Sequence, residues 1–234
     1  MSYERDNIRR MAGYQWGEQP DDADTLKLNT NENPYPPGPA VGRALAGLTA
    51  DVLRTYPRPT ADPLRDEIAA LHGLTRDNVL ITHGGDEGLR LAVTTFVDPG
   101  ATFAMAEPSY SLYPVLAAIQ DAQLLRLPLD PAWQLPTDAA QRLNDAGARL
   151  TCLVNPHAPS GTLTPAGRLG ELASAVNGVV LVDEAYVDFV DPDLGARPDD
   201  ADSRHTPTRR RRARSAKAIV WPVCAWAICS GPPI

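Results

Sequence analysis

The sequence of 234 residues lacks the features that mark several classes of protein. Its three cysteines, Cys152, Cys224 and Cys229, are too few for a disulfide framework. No apolar run approaches the ~20 residues of a membrane-spanning helix. The first thirty residues are polar and acidic, without the apolar stretch of a secretory signal. We therefore expect a cytoplasmic protein that has no membrane partner.

Charge is distributed unevenly along a chain of otherwise globular composition. Hydrophobic residues make up 43% of the chain and charged residues 22%. The net charge is −7, but residues 197–234 carry +5 and the first 196 residues carry −12. Such a break is typical of a domain boundary or a binding tail. The arginines at 209–212 resemble a nucleic-acid patch, and Cys224 with Cys229 resembles half of a metal site.

Apolar segments of strand length alternate with amphipathic helical segments over residues 79–182. The predicted strands are 79–82, 102–106, 123–127, 150–154 and 179–182. The predicted helices between them are 86–97, 113–121, 138–146 and 164–175, and two more precede them at 40–52 and 63–72. Strands that alternate with helices predict an α/β fold, a mostly parallel sheet with helices on both faces. Residues 1–25 are polar and are expected to form a loose arm.

Three loops follow predicted strands and carry residues suited to chemistry. The loop at 83–87 has two glycines before a helix, which suits phosphate but also suits a plain tight turn. Asp183 ends an apolar strand, where a carboxylate can pair with a cofactor nitrogen, bind a metal or cap a helix. The loop at 155–161 holds two prolines and a glycine, and its purely structural interpretation is a rigid turn with His157 at the surface.

Taken in chain order, these loops resemble those of fold-type I pyridoxal-phosphate enzymes, and most closely the histidinol-phosphate aminotransferases. Residues 26–190 carry the resemblance. The matching segments are Asn31-Glu32-Asn33-Pro34 for "N-E-N-P", Arg54-Thr55-Tyr56-Pro57 for "R-Y-P", Gly84-Gly85-Asp86-Glu87 for "G-[SA]-D-E", Pro108-Ser109-Tyr110 for "P-x-Y" and Asp183-Glu184-Ala185-Tyr186 for "D-E-A-Y". The fold implied is an incomplete fold-type I large domain.

The resemblance implies a binding site for pyridoxal 5′-phosphate. Gly85, Asp86 and Glu87 would offer backbone N–H groups to its phosphate. Tyr110 would stack on the pyridine ring. Asp183 would pair with the protonated ring nitrogen and make the ring an electron sink.

Further residues of the site are implied in the same way. Tyr186 would hydrogen-bond the ring hydroxyl, and Asn31 and Glu32 would lie near the substrate. Tyr56 would reach the phosphate in the neighbouring subunit, which implies a homodimer. The implied small-molecule partners are an amino donor and a 2-oxo acid.

Two departures from the family pattern affect the chemistry. The family reads "P-N-N-P-T-G", but Ala158 stands where its asparagine bonds the ring hydroxyl, and Asn155 is the nearest replacement. The Schiff-base lysine of the family lies in a motif like S-K-G-Y-S-L-A-G-L-R-x-G-Y. After Asp183 the only lysine is Lys217, and its neighbours do not match that motif. The catalytic lysine is therefore predicted to be missing.

A shifted reading frame explains the missing lysine. When codons for residues 212–231 are read two bases later, they permit R-T-L-S-K-G-Y-S-L-A-G-L-R-L-G-Y-L-L-G. Trp221 followed by Pro222 forces alanine, and Trp226 followed by Ala227 forces glycine, both where the family pattern has them. We infer that the tail is out of frame, with the slip between about residues 193 and 212, and we expect it to pack poorly. This interpretation disfavours the nucleic-acid and metal hypotheses.

The predicted organisation has three parts. Residues 1–45 form an arm and extended segment, residues 46–192 a cofactor-binding portion, and residues 193–234 an aberrant basic tail. The resemblance implies descent from an enzyme that transfers an amino group between L-histidinol phosphate and 2-oxoglutarate in histidine biosynthesis. We expect this truncated chain to lack that activity. Another fold-type I aminotransferase or decarboxylase-like enzyme is the nearest alternative, and a non-catalytic remnant is the alternative of a different class.

Overall fold

The computed structural model describes residues 3–14, 17–22, 24–30, 32–33, 35–190, 218–222 and 226–229, the last two segments as backbone. The helices are α1 (Asp6–Arg10), α2 (Pro39–Ala46), α3 (Ala50–Leu53), α4 (Asp62–Leu71), α5 (Gly85–Phe96), α6 (Leu112–Gln120), α7 (Ala139–Asp145) and α8 (Ala166–Ala175). The strands are β1 (Val79–Ile81), β2 (Thr102–Glu107), β3 (Gln123–Pro128), β4 (Leu150–Val154), β5 (Val179–Glu184), β6 (Ala218–Pro222) and β7 (Trp226–Cys229). Short 3₁₀ helices span Arg76–Asn78 and Val187–Phe189.

The strands form one seven-stranded sheet in the order β1-β7-β6-β5-β4-β2-β3. Strands β3, β2, β4, β5 and β6 pair in parallel, whereas β7 runs antiparallel to both of its neighbours. Because the parallel strands point the same way, the loops after β2, β4 and β5 emerge at one edge. The predicted α/β fold with a mostly parallel sheet is confirmed.

Alternate residues of the central strands fill two hydrophobic cores, one on each face of the sheet. From β2, Phe103 and Met105 pack with helices α5 and α6, whereas Ala104 and Ala106 pack with α7 and α8. Successive side chains of a strand point to opposite faces, so strands buried on both sides are apolar throughout. This two-sided burial explains why the predicted strands read as continuous apolar runs.

The chain divides into two compact units. One comprises Met1–Ala12 with Asp62–Ile234, and the other Gly13–Ala61. The predicted boundaries at residues 45 and 192 stay predictions. The first unit contains the sheet, and the second contains α2 and α3.

The amino-terminal arm is partly ordered, so its description as a loose segment is wrong for α1. Asn7 Nδ2 donates to the carbonyl oxygens of Ala118 and Ile119, at 2.8 and 3.1 Å. Arg5 donates to the Ile119 carbonyl at 2.8 Å. The last carbonyls of a helix lack partners within it. Polar side chains of the arm therefore cap the carboxyl end of α6.

Two segments of the predicted aberrant tail lie in the sheet. Strand β6 pairs with β5 from Val180↔Ala218 to Glu184↔Pro222, and β7 joins β6 to β1. The expectation of poor packing does not hold for the backbone of these two strands. Hydrogen bonding along a strand edge uses groups that nearly every residue carries, so pairing depends only weakly on side chains. The rest of residues 193–234 lies outside the described residues.

No helix in the described part of the chain has both the length and the apolar surface that crossing a membrane requires. The same residues contain no cluster of three or more His, Cys, Asp or Glu side chains able to hold a metal ion.

Candidate active site

The amino end of α5 forms the first side of the site. Gly84 is the N-cap, with φ +85° and ψ 174°, a backbone conformation that is essentially restricted to glycine. Gly85, Asp86 and Glu87 make up the first turn, whose N–H groups have no partner within the helix. The structure therefore places the three predicted phosphate-binding residues at a helix terminus, where an anion is favoured.

Polar contacts fix the chain that enters this turn. The Thr82 hydroxyl donates to the Gly84 carbonyl at 2.8 Å. The Glu87 carboxylate accepts from the backbone N–H of His83. That hydrogen bond is the main reason why the pKa of Glu87 lies below its usual value. The turn is thus organised before any ligand binds.

Asp183 ends β5 as a buried carboxylate and forms the second side of the site. Its side chain accepts from the Tyr113 hydroxyl at 2.8 Å and from the Ala185 backbone N–H at 3.1 Å. Burial raises the pKa of Asp183, and the charge of Asp86 adds to that rise, whereas the two hydrogen bonds oppose it. Such a carboxylate is a strong site for a cationic group.

Tyr110 links these two sides. Its hydroxyl donates to Asp86 Oδ1 at 3.3 Å. Its ring meets the Tyr113 ring edge to face, with 5.7 Å between centroids. Tyr113 in turn contacts Asp183. The chain of contacts from Asp86 through Tyr110 and Tyr113 to Asp183 brings together residues of α5, α6 with the segment before it, and β5, which are far apart in the sequence.

Asn155 lies at the same edge, but its side chain holds the loop that follows β4. Its Oδ1 accepts from the Thr164 N–H at 2.7 Å, and its Nδ2 donates to the Thr164 carbonyl at 3.1 Å. Its backbone N–H donates to the Asp183 carbonyl at 2.8 Å. The proposed contact of Asn155 with a ring hydroxyl stays a prediction. Ala158 is partly buried and packs against the hydrophobic core.

His157 is buried rather than at the surface, contrary to the interpretation from sequence. Its Nε2 lies 2.8 Å from the Pro108 carbonyl, and its Nδ1 lies 2.8 Å from Ser160 Oγ. A carbonyl only accepts, so Nε2 carries the proton and donates. His157 therefore fastens the segment that leads to Tyr110 onto the loop after β4. No sequence pattern indicates this contact, because the two loops are far apart in the chain.

A cleft of about 520 Å³ opens beside Tyr186. It is lined mostly by apolar groups, among them Ala158, Leu163, Tyr186 and Phe189. The centroids of the Tyr186 and Phe189 rings are 6.5 Å apart. The cleft lies against the loops that follow β4 and β5, and of the predicted cofactor-binding residues its lining includes Tyr186 but not Gly85, Tyr110 or Asp183.

The remaining predicted site residues belong to the other compact unit. Glu32 is exposed and forms an ion pair with Lys27, which lowers the pKa of Glu32. Tyr56 is almost fully exposed. Asn31 lies outside the described residues.

Tyr113 is the residue at this site that sequence reasoning missed. It occupies the first turn of α6 and is fully buried. A usable signal was present, because a tyrosine on an apolar helix face needs a partner for its hydroxyl when buried. Which carboxylate serves as that partner is set by the fold.

Comparison with known proteins identifies the class to which this fold and site belong. Residues 23–212 match the family described as aminotransferase class I and II, and the chain belongs to that family.

Two curated relatives and one solved structure extend this comparison. The chain is 42% identical over 186 residues to the histidinol-phosphate aminotransferase of Syntrophotalea carbinolica, covering 79% of this chain and 52% of the relative. It is 37% identical over 191 residues to histidinol-phosphate aminotransferase 1 of Trichormus variabilis, covering 81% of this chain and 54% of the relative. The chain thus spans about half the length of these relatives. The crystal structure of histidinol-phosphate aminotransferase from Sinorhizobium meliloti in complex with pyridoxal-5′-phosphate superposes with a TM-score of 0.72 at 20% identity, over 87% of this chain and 55% of that one.

Proposed function

We propose that this chain carries the cofactor-binding portion of a pyridoxal-phosphate-dependent aminotransferase that acts on L-histidinol phosphate and 2-oxoglutarate. The observation that carries the proposal is the pairing of two complementary positions at one sheet edge. The amino end of α5 favours an anion, and the buried Asp183 carboxylate favours a cation. Pyridoxal phosphate has an anionic phosphate and a ring nitrogen that takes a proton, so its charges match both positions.

The residues present fit that cofactor, and each would have a definite task. The first-turn N–H groups of Gly85, Asp86 and Glu87 would hold the phosphate. Tyr110 would cover the ring, and Asp183 would hold a proton on the ring nitrogen. When bound, the cofactor supplies an electron sink for the pair of electrons left on the substrate carbon. The family membership and the relatives support the substrate assignment.

The dimer implied by the family is part of the proposal. Tyr56 is 99% exposed, which suits a side chain that serves a neighbouring subunit. Asn31 and Glu32 would act near the substrate. Sedimentation of the purified chain tests the dimer directly.

The chain as it stands is proposed to bind the cofactor without turning over substrate. The sequence contains two lysines, Lys27 and Lys217. Lys27 is engaged with Glu32, and Lys217 does not lie in the family's lysine motif. An aminotransferase uses such an amine both to anchor its cofactor and to move the proton at the substrate carbon. This scarcity of lysine also favours the second candidate function, a non-catalytic remnant.

Amino transfer from histidinol phosphate to 2-oxoglutarate tests the proposal in two proteins. One is the 234-residue chain, in which we expect no detectable transfer. The other is encoded by the same DNA, shifted into the second reading frame upstream of Arg212 and joined to the downstream gene. In that protein we expect activity. Aromatic amino acids and threonine phosphate serve as competing donors, and a preference for either of them would replace histidinol phosphate as the substrate. Activity in the 234-residue chain that is lost in Lys217→Ala would show that Lys217 is the anchoring amine.

A further inference from the structure

A buried hydrogen bond between Tyr113 and Asp183 joins two elements that are 70 residues apart in the chain. The Tyr113 hydroxyl donates to Asp183 Oδ2 at 2.8 Å. Tyr113 is fully buried, and Asp183 is 6% exposed. Water therefore has little access to this contact, and a hydrogen bond to a charged group is stronger there than at a surface.

The ring of Tyr113 cannot easily move its hydroxyl elsewhere. Phe103 meets the ring edge to face at 6.4 Å and an interplanar angle of 86°. Tyr110 meets it at 5.7 Å and 87°. These contacts, within a core cluster that includes Leu116 and Met105, fix the ring. The position of the donor is thus set by packing that does not involve Asp183.

The two oxygens of Asp183 have donors from different parts of the fold. Tyr113, on α6, donates to Oδ2, and the backbone N–H of Ala185 donates to Oδ1 at 3.1 Å. The torsion about the last bond of an aspartate side chain is broad when nothing restrains it. Two fixed donors restrict it to one orientation. Each oxygen keeps a further lone pair, so the carboxylate can still accept from a ligand.

The electrostatic surroundings make the Tyr113 hydroxyl important for the charge on Asp183. The titratable groups that act on Asp183 are Asp86 of α5 and Tyr113 of α6. Asp183 in turn raises the pKa of the fully buried Cys152 of β4, after the larger effect of burial. Burial and Asp86 raise the pKa of Asp183, and the Tyr113 hydrogen bond is the leading influence that lowers it. Burial and Asp183 also raise the pKa of Tyr113, which keeps its hydroxyl protonated as a donor.

We propose that Tyr113 is a positioning residue, whose hydroxyl holds the Asp183 carboxylate ionised and in the orientation that receives the ring nitrogen of the cofactor. The inference rests on the proposed function for its consequence in binding. The hydrogen bond itself can be tested without any cofactor. Tyr113 acts through Asp183 and needs no contact with the ligand.

The first measurement is the affinity of the full chain for pyridoxamine 5′-phosphate as a function of pH. This probe has the ring and phosphate but no aldehyde, so binding needs no lysine. We expect Tyr113→Phe to weaken binding about tenfold at neutral pH, as loss of one charged hydrogen bond does. We also expect binding to be lost at a higher pH on the acid side than in the wild type, because Asp183 then takes up a proton more readily. Tyr3→Phe, which removes a hydroxyl from a 98% exposed side chain, is the matched control. It should change neither the affinity at neutral pH nor the pH at which binding is lost.

The second measurement is denaturant unfolding of the full chain across the same pH range. Tyr113→Phe keeps the packed ring, so the fold should persist. Stability should fall more steeply from acid to neutral pH in Tyr113→Phe than in the wild type, because ionised Asp183 has lost a donor. In an Asp183→Asn background the same substitution should have an effect that does not depend on pH.

The outcomes separate the two proposals. If the unfolding profiles shift as described but no variant binds pyridoxamine phosphate, positioning by Tyr113 stands and the proposed cofactor site is wrong. If binding weakens equally at every pH and the unfolding profile of Tyr113→Phe is parallel to that of the wild type, Tyr113 merely fills space and the inference is overturned.

Discussion

Asp183 carries a buried carboxylate at the carboxyl end of β5, and its ionisation works against folding. Burial raises the pKa of Asp183 in the folded chain above the reference value of 3.8. A carboxyl that holds its proton more tightly when folded contributes stability at low pH, and that contribution is lost as pH rises through the folded pKa. The site thus holds a charge whose cost a bound cation would offset.

Replacing Asp183 by asparagine should therefore stabilise the chain at neutral pH relative to the wild type. The difference in free energy of unfolding should shrink as pH falls to 3.8 and below, where the wild-type carboxyl becomes neutral in both states. One unit of pKa shift corresponds to about 1.4 kcal/mol. Urea unfolding of both proteins between pH 3.5 and 7.5 measures this difference in the free energy of unfolding. A difference that stays constant over this range would show that the Asp183 pKa is not raised.

Gly84 sets the shape of the turn that precedes α5. Gly84→Ala should lower the free energy of unfolding by about 1–3 kcal/mol, because a side chain is strained at φ +85° with ψ 174°. The matched control is Gly38→Ala at the N-cap of α2. Gly38 has φ −60°, and at both glycines an added Cβ would meet no other atom within 4 Å. Denaturant unfolding should show the larger loss for Gly84, and equal losses would mean that the unusual backbone is not required.

Among the secondary-structure elements, the junction of α8 and β5 depends on a glycine for a steric reason. A Cβ on Gly178 would overlap the Ala148 carbonyl oxygen and would lie 2.9 Å from that of Arg149. Both are backbone atoms, which cannot turn away. The absence of a side chain at Gly178 lets β5 begin beside β4, where Val179 donates to the Arg149 carbonyl at 2.9 Å.

Gly178→Ala should destabilise the chain by about 3 kcal/mol, because overpacking against backbone forces the two strands apart. Gly170→Ala, in the same α8–β5 region, is the matched control. Gly170 is helical and has open space around it, so alanine there should stabilise by about 0.5–1 kcal/mol. Thermal unfolding of both variants gives the comparison. A Gly178→Ala protein as stable as the wild type would contradict the close approach.

Element boundaries show where sequence patterns are strong and where they fail. The strand predicted at 150–154 agrees with β4, because five buried positions in a row, four of them apolar, leave little choice. The helix predicted at 40–52 is instead two helices, α2 and α3. Thr49 caps the second by accepting from the Val52 N–H at 3.3 Å. A threonine of this kind starts a new helix, although the apolar periodicity runs through it.

Across the whole molecule, β6 and β7 complete the sheet between β5 and β1. Backbone amides of β6 should therefore be protected from hydrogen exchange in the full chain, along with those of β5. Mass spectrometry of peptides from residues 179–184 and 218–222 measures this protection. Exchange in 218–222 at the rate of an unfolded peptide would instead favour the interpretation of residues 193–234 as an aberrant tail.

The α/β class and the identity of most candidate site residues follow from the order of residues along the chain. Alternation of apolar runs with amphipathic helices requires a sheet covered on both faces, and Gly84 and Asp183 stand where strands end. How these residues meet follows only from the folded arrangement. Contacts such as that between Tyr113 and Asp183, or between His157 and the Pro108 carbonyl, join residues that are 70 and 49 positions apart in the chain. Local periodicity carries no information on such pairs, because strand order in the sheet, and not distance along the chain, sets which loops become neighbours.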